Sequence, residues 1–209
     1  MSIQSLSLFA LAALLLALTP GPNWLYLISR TLCQGRRAGL VSLVGTSTGV
    51  AVHMLAAALG LSALLLAVPL AFDAIRMVGA AYLVWLAVAT LRGAGFSFRP
   101  RVLEPVPDAL LLRQGVLSGV LNPKVALFYL ALFPQFLDPA LGGLLAQSLF
   151  LGALQLAIAI VVDGGLVLVA GVLAARLATH PHWLALQRWI LGGAFGLLAG
   201  WLLLDTRRA

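Results

Sequence analysis

The chain has 209 residues, 62% of them hydrophobic and 9% charged, against a charged share of about 25% in ordinary soluble domains. Its net charge of +7 comes from arginines in short stretches between apolar runs, with no basic stripe interleaved with aromatics, which argues against nucleic acid as a partner. Cys33 is the single cysteine, which excludes a disulfide framework, a CxxC redox pair and a thiolate metal cluster.

Six apolar segments follow in chain order: Leu6 to Leu32, Ala38 to Val68, Ala74 to Leu91, Leu110 to Leu137, Gly142 to Leu177 and Trp183 to Leu204. A helix needs about 20 apolar residues to span hydrocarbon. The pattern therefore predicts an all-α polytopic membrane protein of about six transmembrane helices, forming one domain over residues 1–209. The run from Leu6 has no Lys or Arg ahead of it and continues into further apolar sequence, so it reads as the first helix rather than a cleaved signal peptide. Gly35, Pro69 to Asp73, Gly93 to Asp108, Asp138 with Pro139, and Thr179 to His182 punctuate the segments. The loops after segments one, three and five hold nine arginines and the opposite side three. The positive-inside rule then puts both termini outside the cytoplasm.

The first segment contains Pro20, Gly21 and Pro22 at its centre, followed by Asn23. Each proline removes a donor and clashes one turn back, which frees the carbonyls of Leu16 and Leu18. Broken backbone at membrane depth is tolerated only where it is buried in protein or lines a wet cavity. The same irregularity recurs in the fourth segment as Asn122, Pro123 and Lys124. Segments one and four begin two three-helix halves, about residues 5–92 and 109–204, and an odd number of crossings per half makes the halves run in opposite senses. Two inverted three-helix repeats with proline-broken helices 1 and 4 are thus expected, with a substrate site near the midplane. Helix ends at such breaks offer carbonyls to an ammonium and N–H groups to a carboxylate, which together suit a zwitterion.

Lys124 is the only lysine, and it lies inside an apolar segment, where a charge costs about 2.5 to 3.5 kcal/mol and needs a partner. It can hold a substrate carboxylate, snorkel to a headgroup, or pair permanently with Asp163. In the fifth segment Asp163 is the only carboxylate inside an apolar run; it reads either as a proton carrier or as the cap of a helix break at Gly164 and Gly165. Gly152 is a second place for that long segment to tilt or break. His53, a side chain that ordinarily titrates near neutrality, is open to proton coupling or to hydrogen-bonded packing. Gly45 and Gly49, Gly115 and Gly119, and Gly192, Gly196 and Gly200 recur at four-residue spacing and predict close helix packing, the last group either within the bundle or against a second protomer in a homodimer. The scattered histidines make no metal site, and no cofactor is implied.

In order and spacing, "TPGPNWLYLISRTLCQGRRAGLVSLVGTSTGVAVH", "GAAYLVWLAVATLR" and "LLRQGVLSGVLNPKVALFYLALFPQF" resemble the LysE/RhtB family of bacterial amino-acid exporters, over about residues 5–137. The resemblance implies an inner-membrane exporter of amino acids or close relatives, driven by the proton gradient. It carries Pro20, Gly21, Pro22 and Asn23 onto the family's first break, Gly45, Gly49 and His53 onto its second-helix pattern, and Asn122, Pro123 and Lys124 onto its second break. Gln135 falls in the Pro-Gln-Phe ending, a packing or gating position. Asp163 has no counterpart in this match. A membrane enzyme would need a nucleophile with a base, a metal cluster or a redox pair, which these residues do not offer. The standing alternative is a channel or a structural subunit of a larger complex.

Overall fold

A computed structural model describes residues 2–61 and 104–169 continuously, with isolated helical positions at Met77, Ala81, Val84, Trp85, Val88, Leu91, Trp189, Gly193, Gly196 and Gly200. The described residues are helical throughout their regular elements. The expected third and sixth segments, the far ends of the second and fifth, and Gly192 lie outside the continuously described stretches.

Helix α1 covers Ile3–Leu18, and its first turn is capped by the Ser2 hydroxyl. After the break at Thr19 to Gly21, α2 covers Pro22–Ala56 and passes into a π-helical turn at Ala57–Leu61. Inside α2, Gly35 takes φ 84 and ψ 176, a left-handed conformation that only glycine adopts without strain. The chain reverses there, because residues before Gly35 pack along α3 (Asp108–Val120) in one direction and residues after it in the other. Asn23 meets Ser118 and Arg30 meets Gln114, whereas Gly45 lies against Gly115 and Gly49 against Gly119. Gly35 thus ends the first apolar segment, as its sequence position suggests.

Beyond α3, the break at Leu121 and Asn122 leads into α4 (Pro123–Leu127), which continues as a π turn, Phe128–Leu132, and a 3-10 turn, Phe133–Phe136. The two parts of this segment are bent by 42°. Helix α5, Leu144–Val169, completes the described bundle. It runs unbroken past Gly152 and through Asp163, Gly164 and Gly165, so of the alternatives the sequence left open, a break in this segment and a capping role for Asp163 are both corrected. Glycine costs a helix about 1 kcal/mol, but it keeps its N–H, and in hydrocarbon an interrupted backbone costs more than a continued one.

The two broken segments run antiparallel along their whole length. Phe9 stacks edge-on against Phe133, Leu16 is bonded by Lys124, Asn23 by Ser118, and Arg30 pairs with Gln114. In that register the break at Thr19 to Gly21 stands opposite the break at Leu121 and Asn122. The apolar core gathers at one end, where Phe9 meets Phe128, Phe133 and Phe136, while Val44, Leu121, Phe150 and Val161 point outward, as lipid-facing side chains do. Among the described residues Leu144–Val169 is by itself long and apolar enough to cross a membrane; Pro22–Gly60 has the length and composition but folds back at Gly35, and the bent pair reaches that length when its two helices count as one span.

Candidate functional site

The first break tightens the end of α1. Thr19 donates its amide to Leu15 and Leu16 and its hydroxyl to the Leu15 carbonyl at 2.6 Å. The Leu16 carbonyl, which Pro20 deprives of its ordinary donor, accepts a second bond from Lys124 Nζ at 2.8 Å. The same ammonium donates to the Thr19 carbonyl at 2.5 Å. Lys124 therefore reaches from the start of α4 across to the end of α1, where a cation matches the carbonyl dipoles. It neither snorkels nor makes a direct ion pair with Asp163, although the two charges attract each other.

At the second break the Leu121 and Asn122 amides turn back to Leu117 and Gly119, so the carbonyl freed by Pro123 is satisfied by a tightened turn. The Asn122 side-chain oxygen caps α4 by accepting from the Lys124 amide at 3.1 Å, with Pro123 in the first helical position. His53 Nε2 donates to the Val120 carbonyl at 2.9 Å, and its ring stacks on Tyr129. Side chains thus serve three of the four helix ends at the breaks: Lys124 at the end of α1, His53 at the end of α3, and Asn122 at the start of α4. The fourth is the start of α2, where Gly21 provides no side-chain cap and Pro22 occupies the first position. A Cβ on Gly21 would sit 3.4 Å from both Lys124 Cε and Nζ, so the lysine lies directly over that uncapped end.

Two further contacts draw the site together. Ser118 Oγ donates to Asn23 Oδ1 at 3.1 Å, and Trp24 Nε1 donates to Asp163 Oδ1 at 2.9 Å. Asn23, Asn122, Asp163 and Thr19 are all buried, and the Asn122 amide nitrogen, on a residue 1% exposed, has no partner among the described residues. Pro20, Gly21, Pro22, Asn23, Asn122, Pro123, Lys124 and Asp163 therefore form one polar centre between α1, α2, α4 and α5. Gly45 and Gly49 lie outside it, in a backbone-to-backbone seam with Gly115 and Gly119. Gln135 lies on the 3-10 turn at the far end of the segment, where it donates to the Ala131 carbonyl. Thr19, Trp24 and Ser118 were missed in sequence; their one signal was being polar or aromatic residues beside the breaks.

A family model for LysE type translocators matches residues 14–206, well past Phe136, where the motif resemblance thins. The chain belongs to that family. Over 201 residues, 96% of either protein, it is 31% identical to a homoserine/homoserine lactone efflux protein of Salmonella typhimurium. A protein of the same name from Salmonella typhi is 30% identical over the same span. An uncharacterized membrane protein of Vibrio cholerae is 37% identical over 131 residues, which is 63% of this chain and 64% of that protein. No solved structure matches the translocator. Apolar composition, helices of spanning length and family membership make it a membrane protein.

Proposed function

We propose that this translocator is a secondary transporter that exports amino acids or closely related small zwitterionic metabolites from the cytoplasm across the inner membrane, driven by the proton gradient. The observation that carries the reading is Lys124 held over the uncapped start of α2 at Gly21, with Asp163 bonded to Trp24 on the next residue but one from Pro22. An uncapped helix start and an ammonium together form an anion pole, suited to the substrate carboxylate. Asp163, across the centre from those groups, is the negative charge that suits the substrate ammonium, since the Leu16 and Thr19 carbonyls are already taken by Lys124. The unpartnered Asn122 amide is a further donor for a substrate oxygen.

The antiparallel register of the two broken segments supports two inverted halves, about residues 5–92 and 109–204, rocking about the midplane site to alternate access. The Gly35 turn and residues 104–108 are tied together by Arg37 with Asp108 and by Arg30 with Glu104, so they share one face of the membrane. The excess of arginine assigns that face to the cytoplasm and both termini to the other side. Asp163 and His53 are the groups placed to carry protons. The relatives' names make homoserine and its lactone the first substrates to try.

Counterflow in proteoliposomes tests the reading. Vesicles loaded with unlabelled homoserine should accumulate trace labelled homoserine saturably, and an imposed pH gradient should drive net movement. Conduction without saturation would indicate a channel, and no exchange of any amino acid by folded protein would indicate a structural subunit.

A further inference from the structure

Arg30 lies just over one turn before Gly35 and is 5% exposed, yet every acceptor it meets among the described residues is neutral. Its Nη1 donates to the Gln34 side-chain oxygen at 3.0 Å and the Glu104 carbonyl at 2.8 Å, and its Nη2 to the Gln114 side-chain oxygen at 2.8 Å. The Tyr26 ring lies 5.9 Å from the guanidinium carbon, and Nε is buried without a partner. Four of the chain's six acids lie among the described residues, and none serves Arg30. Asp108 pairs with Arg37, Asp138 bonds the Ala140 amide, Asp163 accepts from Trp24, and Glu104 offers Arg30 only its backbone.

A buried guanidinium is expensive unless an anion joins it, and its planar fork matches a carboxylate better than it matches amide oxygens. What covers Arg30 here is the segment Glu104 to Pro107, which is exposed at Glu104, Pro105 and Pro107 and tied to α2 at its Glu104 and Val106 carbonyls by Arg30 and Gln34. Arg30 is also two turns from Asn23 on the same face of α2, about 10 Å along the axis, and both meet α3.

We propose that Arg30, with Gln34 and Gln114, is a carboxylate-receiving station on the arginine-rich side of the membrane, separate from the centre at the breaks. The substrate's carboxylate displaces the Glu104 carbonyl from the guanidinium, which frees the 104–107 segment from α2. The inference rests on the amino-acid export reading.

Homoserine carries a carboxylate and homoserine lactone does not, so the pair separates carboxylate recognition from a fastening role. Counterflow of each is measured for wild type, Arg30→Gln and Gln114→Glu. Gln114→Glu gives the arginine a carboxylate of its own while keeping it tied to α3, so it covers the case in which Arg30→Gln does not fold. Either variant should raise KM for homoserine tenfold or more, with kcat changed less than twofold and KM for the lactone within twofold of wild type. Equal effects on both compounds, or no effect of either variant, would overturn the station and leave Arg30 as a fastener. Wild-type transport of the lactone alone would overturn it too. No exchange of either compound or of any other amino acid by the folded wild type would overturn the export reading itself, and the station with it.

Discussion

Adding one methyl group to the seam between α2 and α3 should loosen the whole site. A Cβ on Gly119 would lie 2.5 Å from the Thr46 carbonyl oxygen and 2.9 Å from the Gly49 Cα. Ordinary contact begins at 3.4 Å, so the backbones must part by roughly 0.9 Å. Backbone cannot swing aside as a side-chain tip can, and overpacking of this kind costs about 1–3 kcal/mol. The substitution also returns about 0.5–1 kcal/mol, since alanine is a better helix former than glycine. Gly119→Ala should therefore destabilise the protein by up to about 2.5 kcal/mol, the difference between those two effects, and by about 1–3 kcal/mol relative to a glycine-to-alanine change in open space. Gly165→Ala is the control: it lies on α5 with nothing within 4 Å of the new Cβ, so only the gain applies. Thermal unfolding in detergent reads both, at about 2–4 °C per kcal/mol for a chain of this size. Because Ser118 and Val120 flank Gly119 and bond Asn23 and His53, homoserine counterflow should fall with Tm in Gly119→Ala. Equal midpoints for Gly119→Ala and Gly165→Ala would refute the seam as a close backbone contact.

Lys124→Met removes two charge-assisted bonds, each worth about 1.5–3 kcal/mol, but also a charge that costs about 2.5–3.5 kcal/mol at membrane depth. The net loss is then about 1–2 kcal/mol, so the thermal midpoint should fall by only a few degrees while counterflow falls below a tenth; a much larger loss of stability with proportionate transport would make the lysine a structural cap. Asp163→Asn keeps an oxygen for Trp24 Nε1 but loses the charge, so it should raise KM for homoserine exchange and abolish the response to an imposed pH gradient; a retained response would remove Asp163 from coupling, and an unchanged KM would remove it from the substrate site. Asn122→Ala should cost about 1 kcal/mol for the lost cap of α4 and reduce transport well beyond that loss, as measured by counterflow per folded molecule. His53→Phe keeps the ring beside Tyr129 and removes the bond to Val120, so a transport defect at unchanged stability would assign His53 a working role.

Much is legible in the sequence because hydrocarbon allows so few backbone arrangements. Continuous apolar runs had to be helices, and Pro20, Pro22 and Pro123 had to interrupt them, since proline cannot donate and no water replaces the missing bond. The turn at Gly35, the proline at the first position of α2 and of α4, and the four-residue glycine spacing all follow from local sequence in the same way. What local sequence could not decide was pairing. Whether Lys124 would reach Asp163, a headgroup or a helix end depended on which carbonyls the fold brought within its reach, and those belong to residues more than 100 positions away. Asp163 looked like a helix cap because glycine follows it, but the continuity of α5 depends on its neighbours and on the cost of an open backbone in lipid, neither of which is written in a tripeptide. Arg30 read as one more orientation charge, and only the packing of α2 against α3 and the 104–107 segment shows it buried among neutral acceptors. Sequence alone determined where the backbone must break; tertiary structure decided what the broken ends touch, because a long side chain takes its partner from whatever the antiparallel register sets opposite it.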